Sequence, residues 1–434
     1  MTVGVPRTRV HQSDQGVERD PGAPGSRPLR IGLHDFSGHP FQVQLSRRLA
    51  SRGHEVIHWH CPAFLTGKGA LNLTEADPRT LRIEPIDLER GFSKYSIRRR
   101  IQNERAYGGA IAAAVARSAP DVVISSNNPL LSQQTLLRSC ERLGIPFIFW
   151  QQDIYSVAMT RIATARYPLV GTWIGRYFSH LEAAMLRRSD AVVPISDDFL
   201  PALRAWGVQA DRITVIENWA PIDELPTAPR DNPWAREHGL ADKQVILYSG
   251  TLGLKHNPSM LAELANRYRN TDVVVVVISE GPGADFMRRA ARERDLDNLL
   301  VLPFQPFDAL PLVFASADIL VAILEADAGI YSVPSKVLSY HCAGRAILAA
   351  VPESNLAARI VERVGSGIVA DPTSLTSVVT AAADLLGDRA MRDGAGVRAR
   401  EYAEEAFDID KITDRFESII ARVTSAPATR PQSA

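Results

Sequence analysis

A short helix that begins with proline, serine and lysine carries the clearest chemical signal in the sequence. Pro334-Ser335-Lys336 should open this helix and Gly344 should end it, because proline near the first position and glycine past the last are typical helix boundaries. Unpaired backbone N–H groups and the helix dipole both favour negative charge at such an opening. The apolar run Asp318–Leu324 should be the preceding strand, so the opening would lie at the carboxyl edge of a sheet, where open α/β folds bind ligands. These residues predict a site for a phosphate-bearing ligand.

Lys336 supports the same interpretation through its charge. A lysine in the first turn of a helix is unfavourable against the helix dipole, so we expect a bound anion to compensate it. Ser335 and the amides around Pro334 would then hold a diphosphate. The alternative is a surface lysine whose aliphatic stem lies along apolar neighbours.

Length and composition limit the classes of protein to consider. At 434 residues the chain is too long for one ordinary core, and its 45% hydrophobic and 23% charged residues are typical of a globular protein. The formal net charge is zero, which argues against nucleic-acid binding through a broad basic surface. Cys61, Cys140 and Cys342 are far apart and odd in number, so we expect buried thiols in a reducing cytoplasm. The sequence shows no metal-ligand spacing and no run of about 18 apolar residues.

Strands alternate with helices in both halves of the chain. Each half opens with an apolar strand, a glycine-containing loop and a helix, which predicts a βαβ unit. The predicted strands are Leu29–Leu33, Glu55–Trp59, Val122–Ser125, Phe147–Trp150, Ala191–Ile195 and Ile213–Ile216 in the first half, and Gln244–Tyr248, Thr271–Ile278, Leu299–Leu302, Asp318–Leu324 and Ala346–Val351 in the second. The alternation predicts an α/β protein with two doubly wound parallel sheets, in Rossmann-like domains that face each other across a cleft.

Prolines and changes in composition suggest the domain boundaries. We expect a disordered tail over residues 1–28, a first domain over 29–220, a second domain over 221–407 and a disordered tail over 425–434. The N-terminal tail has no apolar signal-peptide core, which favours a cytoplasmic location. The basic segment Lys94–Arg105 is most simply a solvated helix face, and peripheral contact with a membrane surface or an anionic acceptor is the alternative.

Several segments of the sequence resemble those of a known enzyme family. They are Tyr248–Pro258, Ser279–Gly283, Leu302–Pro306 and Val333–Lys336 with Ala343-Gly344 in the second half, and Val193–Ser196 and Val215–Asn218 in the first. Through them the chain, over about residues 29–422, resembles the family-4 glycosyltransferases of the GT-B fold. Within that family it is most similar to the bacterial enzymes of cell-surface polysaccharide synthesis.

The resemblance implies that a sugar passes, with retention of its anomeric configuration, from a nucleotide-diphosphate sugar on the second domain to a glycan or lipid-linked acceptor on the first. It implies no metal and no cofactor, and a C-terminal helix over residues 408–424 that crosses back onto the first domain. Two rival functions stay open. One is a nucleotide-sugar epimerase or hydrolase on the same scaffold, and the other is a non-catalytic GT-B subunit that supports a partner enzyme.

The donor site implied by the resemblance combines several loops of the second half. Gly250 and Thr251 follow a predicted strand, where glycine lets a ligand approach the backbone, and Lys255 is expected to contact a phosphate. Glu280-Gly281 would lie at the cleft edge after the valine-rich strand, and Phe304-Gln305 would hold the base through backbone groups. Tight turns without a ligand are the alternative for the glycine loops.

One part of the family pattern is missing. Most members carry two glutamates eight positions apart around the helix that begins near Lys336, and the second of them holds the donor ribose. Alignment on the glycine that ends this helix places Tyr331 and Ser339 there, and neither is acidic. Glu325 and Asp327 lie upstream and could serve the sugar hydroxyls, although no spacing assigns them. The ribose contact is therefore left open.

The candidate acceptor residues follow predicted strands of the first half. His39 lies in a glycine loop and could contact sugar or phosphate, or have no role. Asp153 is a candidate base for the acceptor hydroxyl, with helix capping as the alternative. Asn127-Asn128 could contact acceptor hydroxyls or only form a turn. Together with Lys336, which would stabilise the leaving diphosphate, His39 and Asp153 are the candidate catalytic residues, although in such an enzyme the departing phosphate can itself deprotonate the acceptor.

Overall fold

Two parallel sheets organise the protein. The computed structural model describes residues 27–63, 68–87, 97–167, 169–253, 256–326 and 334–425, and gives only the backbone for Ile97, Arg98, Ala158, Ile162, Ala165 and Arg166. Within these ranges, two six-stranded sheets are present. Every neighbouring pair of strands runs parallel. The predicted pair of doubly wound parallel sheets is confirmed, whereas the predicted domain boundaries stay predictions.

The first sheet places its strands in the order β3-β2-β1-β4-β5-β6. The elements are β1 (Arg30–Asp35), α1 (Pro40–Ser51), β2 (Glu55–His60), β3 (Leu81–Pro85), α2 (Ile97–Ser118), β4 (Val122–Ser126), α3 (Leu130–Leu143), β5 (Phe147–Gln151), α4 (Tyr155–Arg166), α5 (Gly171–Arg188), β6 (Ala191–Pro194) and α6 (Leu200–Ala205). The strand order reverses between β1 and β4. In sheets of this kind ligands bind outside the carboxyl ends of the strands at that reversal.

The second sheet repeats the same winding, with the order β12-β11-β10-β7-β8-β9. The elements are α7 (Pro233–Glu237), β7 (Gln244–Ser249), α8 (Pro258–Arg267), β8 (Val273–Ile278), α9 (Pro282–Glu293), β9 (Leu299–Leu302), α10 (Leu310–Ala315), β10 (Ile319–Ile323), α11 (Lys336–Ala343), β11 (Ala346–Ala350), α12 (Leu356–Val364), β12 (Gly367–Ala370), α13 (Leu375–Gly387), α14 (Arg389–Ala406) and α15 (Ile409–Ser425). Here the order reverses between β7 and β10, and α11 follows β10. The predicted anion site therefore lies beside the reversal.

Central strands were easier to predict than edge strands. β8, which consists of five valines and an isoleucine, is almost entirely buried, as expected for a parallel strand covered on both faces. The edge strands β3 and β12 were not predicted, because each is short and partly exposed. The predicted strand Ile213–Ile216 is wrong, since this segment makes one parallel bridge, from Ile213 to Val192. The N–H of Ile216 donates to the carbonyl oxygen of Pro194 at 3.0 Å, but Pro194, which ends β6, has no N–H to donate in return, so the ladder is incomplete there.

Helix α15 joins the end of the chain to the first sheet. It packs against α1. Arg52 of α1 contacts three carboxylates of α15, at 2.8 Å from Asp410, 2.5 Å from Asp414 and 2.6 Å from Glu417. Because these charges are partly exposed, solvent screens them and each contributes little alone. The larger contribution comes from Phe416, which is fully buried with its ring centroid 4.8 Å from that of Trp150.

Replacing Phe416 with alanine should loosen this junction. Truncating a buried phenylalanine costs about 3–5 kcal/mol, because it removes apolar burial and leaves a cavity. We expect chemical denaturation to show a loss of that size. The exposed Ser418 on the same helix provides the control, and Ser418→Ala should change the free energy of unfolding by less than about 0.5 kcal/mol. Equal losses in the two variants would contradict this account of the junction.

Two further sequence predictions concern single features of the chain. Cys61, Cys140 and Cys342 are buried thiols, as predicted. Among the helices within the described ranges, none is both long and apolar enough to cross a bilayer.

Candidate active site

Lys336 is the first residue of α11, and its amino group is buried without a hydrogen-bond partner among the described residues. The Nζ atom lies 3.6 Å from the centroid of the Tyr248 ring. It also lies close to Gly250, where a Cβ atom would be 3.3 Å from both Cε and Nζ of the lysine. Buried ammonium groups are costly unless paired. A buried amino group with no hydrogen-bond partner among the described residues is suited to binding an anion.

Burial also changes the acidity of this amino group. It lowers the pKa of Lys336 from 10.5 to about 7. No carboxylate among the described residues lies within ion-pair distance of it. A diphosphate bound against Nζ would favour the charged form and raise the pKa again. The expected compensation of Lys336 by an anion is therefore consistent with its surroundings, and the aliphatic-stem alternative does not account for a buried Nζ.

Two tyrosines fix the loop that follows β7. The hydroxyl of Tyr340 accepts the backbone N–H of Ser249 at 3.1 Å and donates to the carbonyl oxygen of Val321 at 3.2 Å. The hydroxyl of Tyr248 donates to the carbonyl oxygen of Thr251 at 3.0 Å. Since Tyr340 belongs to α11, the loop and the helix that carries Lys336 are held together. Sequence reasoning missed both tyrosines, because their partners become neighbours only when the sheet forms.

Glycines bring this loop against the start of α9. A Cβ atom at Gly283 would lie 2.3 Å from Cβ of Leu252, so only glycine fits there. Gly281 caps α9 with a φ of 84°, a conformation that favours glycine. Backbone N–H of Leu252 donates to Ser279 Oγ at 3.2 Å. The predicted segments Gly250-Thr251 and Glu280-Gly281 are thus adjacent at one edge of the sheet.

The segment after β9 completes that edge. The Oε1 atom of Glu280 accepts the backbone N–H of Phe304 at 3.3 Å, and the Phe304 ring is exposed. The side chain of Gln305 accepts the indole N–H of Trp234 at 3.1 Å, so it faces α7. The side chain of Gln305 is thus engaged within the protein, and contact of its backbone with a base stays a prediction.

The opening of α11 offers fewer amides than expected. The N–H groups of Val337 and Leu338 donate to the carbonyl oxygens of Pro334 and Ser335, both at 3.1 Å. Pro334 is buried and Ser335 is exposed. A diphosphate would therefore meet the amides of Ser335 and Lys336 rather than those deeper in the turn. Lys255 and Tyr331 lie outside the described residues.

On the first sheet, Asp35 organises the loop that holds His39. Asp35 ends β1, is fully buried, and accepts the backbone N–H groups of Ser37, at 3.0 Å, and of His39. It also accepts the side-chain amide of Asn127 at 3.0 Å. Burial raises the pKa of Asp35, with the neighbouring His39 acting in the opposite direction. The sequence analysis did not single out Asp35. The signal available in the sequence was a carboxylate three residues before Gly38.

His39, Asp153 and the two asparagines come to the carboxyl edge of the first sheet. His39 precedes α1, and its ring stacks on Phe41 with centroids 5.6 Å apart. The Asn128 amide donates to Gln133 Oε1 at 2.9 Å, so this side chain serves the protein interior. Because Asn127 is likewise engaged with Asp35, neither side-chain amide is presented to an acceptor.

Asp153 lies between β5 and α4. Helix capping was the alternative role predicted for Asp153, but a different carboxylate accepts the first N–H groups of α4. Glu182 of α5 accepts the N–H groups of Tyr155 at 3.0 Å and Ser156 at 2.9 Å. Burial raises the pKa of Glu182 to about 7, and the charge of Asp153 adds to that effect. Two carboxyl groups are thus neighbours here, and Asp153 is the half-buried one at the sheet edge.

A cavity of about 730 Å³ lies at the opposite, amino edge of the second sheet. Its arginines brace the linker between the sheets. Arg230 donates to Asp318 at 3.1 Å, and Arg345 donates to the carbonyl oxygens of Ala315 and Ala228 at 3.0 and 3.1 Å. The cavity is remote from the carboxyl edge, and we do not assign it to the site.

Known families match both halves of the chain. A model described as a glycosyl transferase 4-like domain matches residues 39–219, and one described as glycosyl transferases group 1 matches residues 231–402.

Two curated relatives are similar over part of their length. A protein named as a colanic acid biosynthesis glycosyl transferase, WcaI of Escherichia coli K12, is 24% identical over 250 residues, which are 57% of this chain and 60% of that one. A protein named as a glycosyltransferase, WbjE of Pseudomonas aeruginosa, is 22% identical over 57% of this chain and 61% of its own.

The matched region thus spans about 60% of the length of these curated relatives.

Solved structures match more of the chain. HepE of Anabaena, solved in complex with UDP and glucose and in complex with UDP-glucose, covers 91% of this chain and 100% of its own, with TM-scores of 0.69 and 0.68 at 14% and 13% identity. Sucrose-phosphate synthase of Thermosynechococcus elongatus covers 92% and 100%, with a TM-score of 0.71 at 16% identity. At such identities the likeness shows the fold, and the expected GT-B fold is confirmed. The two family models together include every strand of the two sheets except β1, and the chain belongs to the family-4 glycosyltransferases.

Proposed function

We propose that this chain transfers a sugar from a nucleoside-diphosphate sugar, held on the second sheet, to a glycan or lipid-linked acceptor at the first. The observation that carries the proposal is the buried amino group of Lys336 beside Gly250, with no hydrogen-bond partner among the described residues. A buried cation next to a side-chain-free backbone position suits a diphosphate, which needs both charge and close approach.

The candidate nucleotide-sugar donors can be ranked for testing. HepE was solved with UDP and with UDP-glucose, so uridine diphosphate sugars are the first donors to test. The base would lie against Phe304 and the backbone of Gln305. Ser339 is half-buried on α11 and cannot supply the carboxylate that most relatives use for the ribose. The ribose contact would come from elsewhere, and Glu325, two residues after the end of β10, is a described candidate.

Catalysis would rest on positioning and on charge. As the bond between the sugar and the diphosphate breaks, negative charge develops on the leaving phosphate, and the Lys336 ammonium would stabilise it there without a metal ion or cofactor. We propose that transfer proceeds with retention, with the leaving phosphate taking the acceptor proton. Asp153 and His39, at the carboxyl edge of the first sheet, would orient the acceptor hydroxyl or assist that proton transfer.

The acceptor side keeps one earlier prediction open. Of the basic segment Lys94–Arg105, the described side chains of Arg99 and Arg105 are exposed on α2, and Arg100 pairs with Glu104 at 2.9 Å. Contact of this segment with a membrane surface stays a prediction. We place the reaction at the cytoplasmic face of a membrane, where a lipid-linked acceptor would be found.

A thermal-shift screen against nucleoside diphosphates and their sugars tests the proposal. A ligand at 100 times its dissociation constant stabilises a fold by about 2.7 kcal/mol, which is readily seen. We expect a selective shift with one nucleotide in the wild-type chain. Absence of any shift across the panel would contradict the donor site and favour the non-catalytic subunit. Release of free sugar or of an isomerised nucleotide sugar, without acceptor, would favour the hydrolase or epimerase.

A further inference from the structure

The hairpin formed by α4 and α5 exposes an unusual number of large apolar side chains. Among the described residues, six of the eleven large hydrophobic side chains that are exposed belong to this hairpin. They are Val157, Tyr167, Leu169, Val170, Trp173 and Tyr177. Leu169 is 92% exposed and Trp173 is 71% exposed. Contiguous exposed apolar surface of this kind marks an interaction site on a globular protein.

The outward direction of these side chains is enforced by the packing of the hairpin. A Cβ atom at Gly171 would lie 2.4 Å from the carbonyl oxygen of Ala163, and one at Gly175 would lie 2.5 Å from Oγ1 of Thr160. The glycine face of α5 therefore packs closely on α4. Trp173 and Tyr177 are each two residues from a glycine, which places them on the opposite face of the helix. The hairpin thus buries its small residues and presents its aromatic ones.

The charges of the hairpin are mostly positive, although Arg188 at its far end pairs with Glu141 of α3. Residues 155–188 contain five arginines, at positions 161, 166, 176, 187 and 188, and a single acidic residue, Glu182. Glu182 is fully buried, where it accepts the first N–H groups of α4. The guanidinium of Arg176 lies 5.9 Å from the Trp173 ring centroid. Tryptophan, tyrosine and arginine together on an exposed face are typical of segments that lie in the headgroup region of a bilayer.

The hairpin also projects from the edge where the acceptor is proposed to bind. Tyr155 follows β5 closely and contacts Glu182, so this part of α5 is level with the carboxyl edge of the sheet. The preceding residues of α5, from Gly171 onward, extend beyond that edge. At 1.5 Å per residue they reach about 16 Å past it. Asp153, the candidate acceptor residue, lies at the base of the same hairpin.

We propose that the tip of the α4–α5 hairpin, formed by Tyr167 and residues 169–177, docks into the surface of a bilayer that contains anionic lipids. Its apolar side chains would enter the headgroup region and its arginines would meet lipid phosphates. Docking would bring a lipid-linked acceptor to the carboxyl edge of the first sheet, and this last clause rests on the proposed sugar transfer. A second copy of the chain is a poorer occupant, because it would place two arginine-rich faces against each other.

Vesicle flotation with the full-length chain tests the proposal. Wild type should float with vesicles of phosphatidylcholine and phosphatidylglycerol, and less with phosphatidylcholine alone or at high salt. The double variant Leu169→Ser/Trp173→Ser should lose about tenfold or more in vesicle affinity, since it removes two side chains that would leave water. Arg176→Gln should reduce binding only to the anionic vesicles. The control Leu375→Ser/Val397→Ser removes two exposed apolar side chains of the second domain and should bind as wild type does.

Several outcomes would contradict membrane docking by the hairpin. Vesicle binding by the double variant equal to wild type, or no binding by wild type, would overturn the proposal. So would a wild-type dimer, seen by light scattering, that the double variant converts to monomers. Thermal melting should be the same for all variants, because every changed side chain is exposed. Vesicle binding needs no donor, and nucleotide binding needs no vesicle, so failure of the hairpin and failure of the donor site are told apart.

Discussion

Replacing Lys336 with methionine should weaken binding of the nucleoside-diphosphate sugar by roughly 30- to 150-fold. Methionine keeps most of the side-chain volume against Tyr248 but cannot pair with phosphate. A charge-assisted hydrogen bond to a buried group contributes about 2–3 kcal/mol, which corresponds to that range. Turnover should fall at least as far, because the same charge would stabilise the leaving diphosphate in the transition state. Calorimetric titration with the selected nucleotide measures the binding loss.

Lys336→Met should weaken donor binding without lowering the stability of the free protein. The free protein should be no less stable than wild type, because the substitution removes a buried ammonium that has no hydrogen-bond partner among the described residues, while methionine still packs on the Tyr248 ring. Lys411→Met is the matched control, since Lys411 is an exposed lysine of α15. It should change neither nucleotide binding nor turnover. Unchanged binding in Lys336→Met, with a stable fold, would show that Lys336 does not contact the donor.

Donor affinity should fall steeply as the pH rises above about 7. Burial holds the pKa of Lys336 at about 7 in the free protein, and a bound diphosphate requires the ammonium form. Each pH unit well above that pKa weakens binding by up to tenfold, and because half of the amino groups are already neutral at about pH 7, the loss between about pH 7 and about pH 9 is about 50-fold. Below about pH 7 the affinity should change little. Proton uptake on binding, measured by calorimetry in two buffers, should be absent in Lys336→Met.

The free protein should respond to pH in the opposite direction. In the unfolded chain the pKa of Lys336 returns to its usual 10.5, whereas in the fold it is about 7. Between these values the unfolded chain binds a proton that the folded chain does not, so this group makes unfolding less favourable as pH rises through that window. Equal donor affinity at about pH 7 and about pH 9 would contradict the buried-lysine account.

The sequence predicted the helix that carries Lys336 well, because the signals for this helix are local. Proline, serine and lysine before an apolar helix, and glycine after it, are read within ten residues, and α11 begins at Lys336 and ends before Gly344. The parts that were missed depend on distant partners. Ser249 and Tyr340 are 91 residues apart, and Asp35 and Asn127 are 92 apart, yet each pair forms a hydrogen bond. No spacing pattern in the sequence predicts contacts between residues so far apart.

The hairpin shows a second limit of sequence reading. Apolar residues four apart, such as Trp173 and Tyr177, normally mark the buried face of a helix. Here the glycines at 171 and 175 occupy that face, and the aromatic side chains point outward. Which of two apolar stripes is buried depends on the neighbouring helix, so the structure was needed to decide it.

Product analysis with one donor and an acceptor pool tests the central claim most directly. The purified chain is incubated with the nucleotide sugar chosen by thermal shift and with a lipid and oligosaccharide extract of the cells that make the protein. Mass spectrometry then follows the nucleotide and the acceptors. We predict equal amounts of nucleoside diphosphate and of an acceptor extended by one sugar, with both products strongly reduced in Lys336→Met. Free sugar or an isomerised nucleotide sugar without an extended acceptor, or donor binding without any product, would contradict a glycosyltransferase.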